Sequence, residues 1–478
     1  MGISTQRFAK HHLIGFGFWQ AWQMVVMCTN AVTPADAAHS VPTLTVILAT
    51  TVGYIVIMGL CRPFPTILEG KAAIPVAATT MAAGTFVLML TSSISDEPLR
   101  LAALAVGLTA TSYGNAALLF MWGNLWSTLA TGRAGRHLYF SYAFAFVPFF
   151  IAYALPHPAG GILCCLLPVA SCLILASCKN EPRRKPSDAP FTPEHALIVK
   201  SIGFVIVLSI IWGLSQHLVP RLLFPGTTAE FMAMSMVVAG ATIGALALSM
   251  VVSSPPSEPV ALYRPIVPAI ATGIAAFLAL PAIWAFIGNG LLTMGIYCLD
   301  MFIMLIATDL AFRTRIPAPL VFGVALVSSR AGTFAGTVAA SLLADAFPQA
   351  FSDSFIPTEA TAVCFAALVF AGMLIFTQAD LQKLYETPYQ PQTTDPAPGT
   401  LTTAQRCTAV SEKYGLTARE TEVLELLVRG RTVQGLCEEL SIAQGTAKHH
   451  VSNIYRKLGV GDRRSVFDIV ERATPIDE

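Results

Sequence analysis

Residues 445–458 read Gly-Thr-Ala-Lys-His-His-Val-Ser-Asn-Ile-Tyr-Arg-Lys-Leu, and their spacing predicts an amphipathic helix. Its apolar side chains follow one another at steps of four, three and four along one face: Ala447, Val451, Ile454 and Leu458. At 100° per residue, five polar side chains fall within an arc of about 140° on the other face: Lys448, His449, Ser452, Asn453 and Arg456. Such a face fits the major groove of DNA, although a basic helical face is more often an ordinary solvated surface.

Two shorter helices are predicted before this one, and they place it in a helix-turn-helix. Thr417 can cap the first helix, and Glu420 three residues later completes a capping box. Gly430 ends that helix and Thr432 caps the next, after which residues 441–445 form the turn. Because the second helix of a helix-turn-helix enters the major groove, the DNA-binding interpretation outweighs the solvated one.

Residues 414–473 as a whole resemble the four-helix DNA-binding domain of LuxR/NarL-type transcription regulators. The residues that match this family at its spacing are Leu416, Thr417, Arg419, Glu420, Val423, Leu424, Gly430, Gly445, Thr446, Lys448, His450, Asn453, Ile454, Lys457, Leu458 and Arg463. Val433, Gly435 and Cys437 depart from the polar, acidic and alanine residues that are usual there. Gly435 should weaken its helix by about 1 kcal/mol relative to alanine.

The resemblance implies the DNA contacts and the oligomeric state. Base contacts are implied for Lys448, His449 and Ser452. Phosphate contacts are implied for Thr446, His450, Asn453 and Lys457. Arg456, on the same polar arc, is a further DNA-binding candidate. A fourth helix near residues 463–472 is implied to join two copies of the domain into a homodimer.

The part of the chain before residue 379 has the composition of a membrane protein. Of all 478 residues 54% are hydrophobic and 12% are charged, against about 25% charged in an ordinary soluble domain. A helix needs about 20 mostly apolar residues to cross a hydrocarbon layer of about 30 Å. Twelve stretches meet this requirement: residues 12–33, 41–60, 72–94, 99–125, 137–156, 160–178, 196–219, 230–253, 264–286, 288–311, 317–344 and 357–378. Their tryptophans are expected mostly in the interfacial belt.

Basic residues set the orientation of these spans. One side of the membrane carries Arg7, Lys10, Arg62, Lys71, Arg133, Arg136, Lys179, Arg183, Arg184, Lys185, Arg313 and Arg315. The loops on the other side carry mainly acids: Asp36, Asp96, Glu97, Glu230, Asp345 and Asp353. Since basic loops stay in the cytoplasm and the number of spans is even, both termini are predicted to be cytoplasmic, in a bacterial cell membrane.

The polar loop at residues 179–195 divides the spans into six and six. This division resembles the major facilitator architecture, in which two six-helix halves face each other across a midplane cavity. Transporters of that family usually carry an acidic and arginine-rich motif between the second and third spans. Residues 59–65 keep a base but lack the pattern, and residues 253–259 in the second half lack it as well. The resemblance therefore concerns the architecture.

Two ionisable residues fall near the middle of neighbouring spans, Asp300 in the tenth and Arg330 in the eleventh. Antiparallel helices joined by a short loop would hold them at similar depth, so a buried ion pair is expected. Two interpretations stay open, because charges inside a membrane mark either pairing or function. The pair is either a structural one that fixes helix packing, or a ligand-binding or switching pair in the cavity. Polar residues such as Gln23, Asn115 and Asn289 are expected mostly to bridge helices by hydrogen bonds.

Residues 387–404 have no periodicity and predict a flexible tether with a reach of about 25 Å. The chain is thus predicted to be all-α, with a polytopic bundle of twelve transmembrane helices and a four-helix helix-turn-helix domain. Its predicted parts are a membrane domain over residues 1–378, a flexible cytoplasmic linker over 379–413 and a DNA-binding domain over 414–473.

This organisation predicts a one-component membrane transcription regulator, whose membrane domain senses a ligand or a membrane signal and whose helix-turn-helix binds promoter DNA. The alternative is a major-facilitator-like transporter with an appended DNA-binding domain. The expected partners are double-stranded DNA, membrane lipid, an unidentified small molecule and a second copy of the chain. The sequence carries no phosphate-binding glycine loop, metal cluster or nucleophile motif. We therefore expect no enzyme activity, catalytic residue, metal or cofactor.

Overall fold

The computed structural model describes residues 14–29, 32, 41–129, 133–178, 193–223, 228–252, 259–346, 358–377, 380–381, 403–428, 433–440, 442–460, 466–467 and 469–470. Within these residues all regular elements are helical, which confirms the predicted all-α fold. Helices suit a bilayer because each satisfies its own backbone hydrogen bonds where no water is available. The chain forms two compact units, Met1–Leu381 and Gln382–Glu478.

The first unit has twelve helices in its described part. They are α1 (Gly15–Cys28), α2 (Val41–Cys61), α3 (Ala73–Leu90), α4 (Glu97–Thr128), α5 (Arg133–Ala154), α6 (Ala159–Ser177), α7 (His195–Leu223), α8 (Thr228–Val252), α9 (Pro259–Ala279), α10 (Ala285–Thr314), α11 (Ala318–Ala346) and α12 (Thr358–Ile375). Each overlaps one predicted apolar stretch. Within the described residues, nine helices are long and apolar enough to cross a membrane. Of the others, α1 has 14 residues, and α9 contributes a shorter apolar segment, Pro265–Ala276.

Helix packing repeats between the two halves of this unit. In the first half α1 packs against α5 and α6, and α4 packs against α2 and α3. In the second half the corresponding helices pair in the same way: α7 packs against α11 and α12, and α10 packs against α8 and α9. The halves meet where α2 contacts α11 and where α5 contacts α8. This is the predicted six-plus-six arrangement; residues 179–192 of the dividing loop lie outside the described residues.

Glycines let equivalent helices approach closely in both halves. A Cβ atom added to Gly17 of α1 would overlap the Ser141 carbonyl oxygen of α5. One added to Gly213 of α7 would overlap the Thr333 carbonyl oxygen of α11. Since lipid tails are as apolar as the helices, close packing of this kind is a main source of attraction between them. The repeat is therefore visible in backbone packing as well as in helix order.

The predicted tryptophan belt is wrong for Trp19, Trp22, Trp122 and Trp126, which are buried inside the first half. Phe16 lies among them, with its ring centroid 4.6 Å from that of Trp19 and 4.7 Å from that of Trp126. Three of the indole N–H groups donate to polar side chains, at 2.7 Å to Asn115, 2.9 Å to Thr85 and 3.1 Å to Ser171. Because these bonds satisfy the polar edges of Trp19, Trp22 and Trp122, those three indoles pack in the bundle instead of at the interface. The Trp126 Nε1 has no partner among the described residues.

The second unit contains α13 (Thr403–Tyr414), α14 (Ala418–Val428), α15 (Val433–Leu440) and α16 (Gln444–Leu458) in its described part. Its own apolar core is formed by Cys407, Val410, Val423, Leu424, Leu427, Leu436, Ala447, Ile454, Leu458, Val466 and Val470. The predicted capping box is confirmed at the start of α14. The Thr417 N–H donates to Glu420 at 2.8 Å, and the Glu420 N–H donates to Thr417 Oγ1 at 3.3 Å.

Helix α13 corrects the predicted linker, which ran to residue 413. Cys407 and Val410 lie one turn apart in the core and Tyr414 packs against it, so residues 403–414 form an amphipathic helix that their polar composition concealed. Of the predicted tether, residues 387–402 lie outside the described residues. Gly430, Thr432 and Arg463 lie outside them too. Of the predicted fourth helix, residues 466–467 and 469–470 are described, and they are helical.

Candidate nucleic-acid interface and intramembrane charges

Helix α16 is anchored to its unit through one face, as its spacing predicted. Ala447, Ile454 and Leu458 are buried, and Val451 is half-buried. Gly459 ends the helix with a φ of 68°, and its N–H donates to the Arg456 carbonyl oxygen at 3.3 Å. Glycine suits this position because a Cβ atom strains the left-handed conformation. Local structure thus fixes where α16 ends, and with that which of its side chains face outward.

The opposite face of α16 carries the predicted DNA-binding side chains. Thr446, Lys448, His449, Ser452 and Arg456 are exposed, and His450, Asn453 and Lys457 are half-buried. Asn453 Nδ2 lies 3.3 Å from His449 Nδ1, and Arg456 Nη2 donates to Asn453 Oδ1 at 3.2 Å. Because these bonds join residues three and four positions apart, they align imidazole, amide and guanidinium along the helix. We call the eight side chains the polar ridge.

Lys457 differs from the other members of the polar ridge, because it is bonded inward. Its Nζ donates to Glu420 Oε2 at 2.6 Å and to the Gly415 carbonyl oxygen at 2.9 Å. Burial disfavours the Glu420 carboxylate, but the bonds from Lys457 and Thr417 outweigh it and lower the pKa of Glu420 below its ordinary value. Lys457 therefore fastens α16 to the start of α14, and one of its three N–H groups is left for another acceptor.

Arg419 fixes the other helix of the helix-turn-helix. Its Nη2 donates to the Leu440 carbonyl oxygen at 2.9 Å, and its Nη1 contacts Glu422 at 2.5 Å. The Leu440 carbonyl belongs to the last turn of α15, where carbonyl groups lack intrahelical partners. Sequence reasoning found Arg419 as a motif residue but missed this role, because the bonded carbonyl lies 21 residues further along the chain.

Asp300 and Arg330 lie on the antiparallel neighbours α10 and α11, each about 20 Å along its helix from the short loop between them. They share one depth, as predicted, and interact electrostatically. Both side chains are half-buried. The ion pair expected from the sequence is not closed, since no direct salt bridge joins these two described residues. Asp309 and Arg313, one turn apart near the end of α10, do pair, at 3.6 Å.

These two charges lie at the boundary between the halves. Tyr142 of α5, in the first half, interacts electrostatically with both of them. Its ring meets Tyr297 of α10 edge-on, with centroids 5.8 Å apart, and Tyr297 interacts with Asp300 as well. A carboxylate, a guanidinium and two phenols contributed by both halves therefore form one polar locus, which we call the central charge site.

Most of the other polar residues named for the spans bridge helices, as expected. Asn115 of α4 accepts from Trp19 of α1 and donates to the Tyr54 hydroxyl of α2 at 3.3 Å. Asn289 of α10 donates to the Met232 sulfur of α8 at 3.9 Å. Gln23 instead lines a small pocket between α1, α2, α3 and α4, where its Oε1 has no partner in the described part of the chain.

Residues 415–470 match the GerE family model, described as bacterial regulatory proteins of the luxR family. The chain is 48% identical over 48 residues to the spore germination protein GerE of Bacillus subtilis (strain 168), which is 10% of this chain and 65% of that protein. It is 46% identical over 62 residues to the probable transcriptional regulatory protein NarL of Mycobacterium tuberculosis (strain CDC 1551 / Oshkosh), which is 13% of this chain and 29% of that protein. The chain thus spans less than two thirds of each of these relatives, and the likeness concerns the helix-turn-helix domain.

Among solved structures, the chain is similar to the Major Facilitator Superfamily transporter FucP in the outward conformation. The TM-score is 0.50 at 14% sequence identity, covering 78% of this chain and 99% of that chain. At this identity the likeness shows the fold alone. The repeated packing of α1–α6 and α7–α12 is therefore that of the major facilitator fold.

Proposed function

We propose that this protein, in which a membrane unit of major facilitator fold and a LuxR-family helix-turn-helix domain share one chain, is a one-component membrane transcription regulator. The helix-turn-helix domain binds promoter DNA in the cytoplasm, and the membrane unit responds to a small molecule or to the state of the membrane. The observation that carries the proposal is the polar ridge of α16, displayed on a domain of regulator type within a chain of transporter fold.

On DNA, the middle of the polar ridge reads base edges through Lys448, His449 and Ser452. Thr446, His450, Asn453, Arg456 and the remaining N–H of Lys457 contact the phosphates on either side. The bond between His449 and Asn453 and the bond that Arg456 donates to Asn453 support this role, since side chains that are ordered before binding lose less entropy when they bind. A homodimer formed through residues 463–472 would present two copies of α16 to two half-sites.

The central charge site is the proposed entry point of the signal. An intramembrane charge without a direct counter-ion, such as that of Arg330, is costly. A bound molecule that complements Asp300 or Arg330 would relieve that cost. Because Tyr142 adds the first half to the site, such a ligand would favour one arrangement of the halves over another, which is the requirement for a ligand to shift a conformational equilibrium.

The orientation proposed for the membrane unit rests on its basic loops. Arg62 and Lys71 lie between α2 and α3, and Arg315 lies between α10 and α11. Under the positive-inside rule these loops are cytoplasmic. An even number of spans then brings the helix-turn-helix domain to the same side of a bacterial cell membrane.

A second candidate function is transport, with the DNA-binding domain as an addition. The match to 99% of the FucP chain favours it, as does the unpaired acid of the central charge site. The absence of the expected motif at residues 59–65 weighs against it. In proteoliposomes this function would appear as movement of a labelled solute that Asp300→Asn abolishes and Lys448→Ala leaves intact.

The favoured function can be tested without knowing the promoter. The full-length protein in lipid nanodiscs is mixed with sheared genomic DNA of its source organism, and the retained fragments are sequenced. We expect enrichment of a few discrete fragments, lost in Lys448→Ala and His449→Ala. Lys413→Ala is the matched control, because it removes a positive charge from α13 of the same unit, outside the polar ridge.

Two results would contradict the proposal. One is retention of DNA by the wild-type protein without sequence enrichment. The other is the same enriched fragments in the double variant K448A/H449A as in the wild type, once size-exclusion chromatography has shown that both are inserted in nanodiscs and monodisperse.

A further inference from the structure

Three residues form a bonded cluster where the chain leaves the last membrane helix. Thr377 donates to Asp380 Oδ2 from its backbone N–H at 3.0 Å and from its hydroxyl at 2.8 Å. Lys200, in the second turn of α7, donates to Asp380 Oδ1 at 2.9 Å. The next residue, Leu381, is fully buried. We call Lys200, Thr377 and Asp380 the exit clasp.

The exit clasp is held by charge. Asp380 is 6% exposed, and a buried carboxylate is costly unless it is paired and hydrogen-bonded. Burial opposes its charged form, but the bonds from Lys200 and Thr377 outweigh it and hold the pKa of Asp380 at about 2. Asp380 therefore stays charged and bonded to Lys200 throughout the physiological pH range.

The position of the exit clasp decides what it can do. Asp380 lies at the end of the first compact unit, and the second unit begins at Gln382. Lys200 lies near the start of α7, the first helix of the second half. The clasp thus bonds the root of the connection to the DNA-binding domain to one particular membrane helix, α7.

Helix α7 is in turn locked to the helix that carries Arg330. Cβ atoms added to Gly332 and Gly336 of α11 would overlap the carbonyl oxygens of Ile206 and Ile210 of α7. The hydroxyls of Ser209 and Ser329, the latter next to Arg330, lie 3.0 Å apart. With this little space between the backbones, α11 cannot shift at Arg330 without moving α7.

We propose that the exit clasp couples the membrane unit to the DNA-binding domain: a displacement of α11 at Arg330 moves α7, and Lys200 transmits that movement through Asp380 to the start of the connection. This inference rests on the proposed function and adds the route of its signal. The contiguous contacts give the route, and coupling measurements must test it.

The first experiment tests whether the exit clasp protects residues 377–381 in the membrane-bound protein. Hydrogen exchange of the backbone amides of residues 377–381 is followed in the full-length protein in nanodiscs. We expect exchange about fivefold faster in Lys200→Gln and Asp380→Asn than in wild type. Lys200→Arg, which keeps the charge, should stay close to wild type. Lys71→Gln, which removes an exposed lysine from the α2–α3 loop, should have no effect. Unchanged exchange in Lys200→Gln would show that the bond between Lys200 and Asp380 does not hold residues 377–381, and would overturn the proposal.

The second experiment tests whether the exit clasp transmits a change at Arg330 to the DNA-binding domain. A reporter gene is driven by a promoter selected as described above, and Arg330→Gln serves as the perturbation at the signal end. We expect Arg330→Gln to change reporter output by about fivefold in the wild-type and Lys71→Gln backgrounds and to have no effect in Lys200→Gln or Asp380→Asn. Membrane levels of each variant are measured in parallel.

Each other outcome is decisive. A change of equal size in the Lys200→Gln background overturns the coupling, and so does an Arg330→Gln variant without effect in any background. Failure of the proposed function would look different, since the wild-type protein would then select no DNA fragments and no reporter could be built.

Discussion

Lys457 Nζ lies 2.6 Å from Glu420 Oε2, and this bond joins the end of α16 to the start of α14 across 37 residues of sequence. The carboxylate is almost fully buried, and the lysine is covered over most of its length. The family resemblance implies that Lys457 binds phosphate. The structure adds that the same ammonium fixes the helix that presents the polar ridge.

We expect Lys457→Met to lower the free energy of unfolding of the second unit by about 1–3 kcal/mol, because it leaves the buried Glu420 carboxylate without its charged donor. The measurement is urea denaturation of residues 403–478, which contain their own apolar core. Lys413→Met, at an exposed lysine of α13, is the control. Equal stability of the two variants would contradict a stabilising role for the bond between Lys457 and Glu420.

Stability of the second unit should depend on acid pH through Glu420, whose pKa is lowered in the folded state. A group with a lowered pKa stabilises the fold above its unfolded pKa of about 4.3, and this contribution is lost as the pH falls through the folded pKa. We therefore expect the free energy of unfolding to decline below about pH 4. Glu420→Gln should be less stable at pH 7 and should lack this part of the decline. The same pH profile in both proteins would contradict the assignment.

Gly459 and Gly445 offer a comparison of backbone conformation alone, since a Cβ atom would meet open space at both positions. Gly459 has a φ of 68° at the end of α16, whereas Gly445 has no positive φ. We expect Gly459→Ala to cost about 1 kcal/mol in the same urea titration. Gly445→Ala, at the start of the helix, should cost nothing. A neutral Gly459→Ala would mean that α16 can end without the left-handed residue.

The helices of the membrane unit could be predicted from the sequence because hydrocarbon thickness imposes a minimum apolar length. The exact ends of these helices were harder to predict from the sequence. The stretch predicted to begin at residue 99 begins at Glu97, because Asp96 caps the helix by accepting from the Leu99 N–H at 3.1 Å. Helix α13 was missed for a related reason: its two buried hydrophobic residues, Cys407 and Val410, carry too little signal without the core against which they pack.

The candidate sites also differ in how far local sequence predicts them. The polar ridge follows from helical periodicity, which is local information. The inward turn of Lys457 and the bond between Lys200 and Asp380 join residues 37 and 180 positions apart, and no local pattern reports such pairs. The central charge site was found because intramembrane charges are rare, but its open geometry depends on how α10 and α11 pack.

Lys448 and Thr446 should differ in how their loss affects DNA binding. For a promoter fragment selected from the genome, we expect Lys448→Ala to cost about 1–3 kcal/mol on the selected sequence and to relax specificity at one base pair, because Lys448 is proposed to contact a base edge. Thr446→Ala should weaken binding to all sequences alike, as loss of a phosphate contact does. Fluorescence anisotropy with single-base variants of the fragment separates the two. Identical specificity profiles would contradict the assigned roles.

Gly213 should be necessary for the packing of α7 against α11. A Cβ atom there would overlap the Thr333 carbonyl oxygen and lie 2.8 Å from the Thr337 nitrogen, both of them backbone atoms that cannot rotate away. We expect Gly213→Ala to destabilise the membrane unit by about 1–3 kcal/mol, seen as a lower unfolding temperature of the full-length protein in detergent. Gly244→Ala on α8, where a Cβ atom meets nothing within 4 Å, is the matched control. If both variants unfold at the wild-type temperature, α7 and α11 are not locked, and the route from Arg330 to Lys200 loses its rigid element.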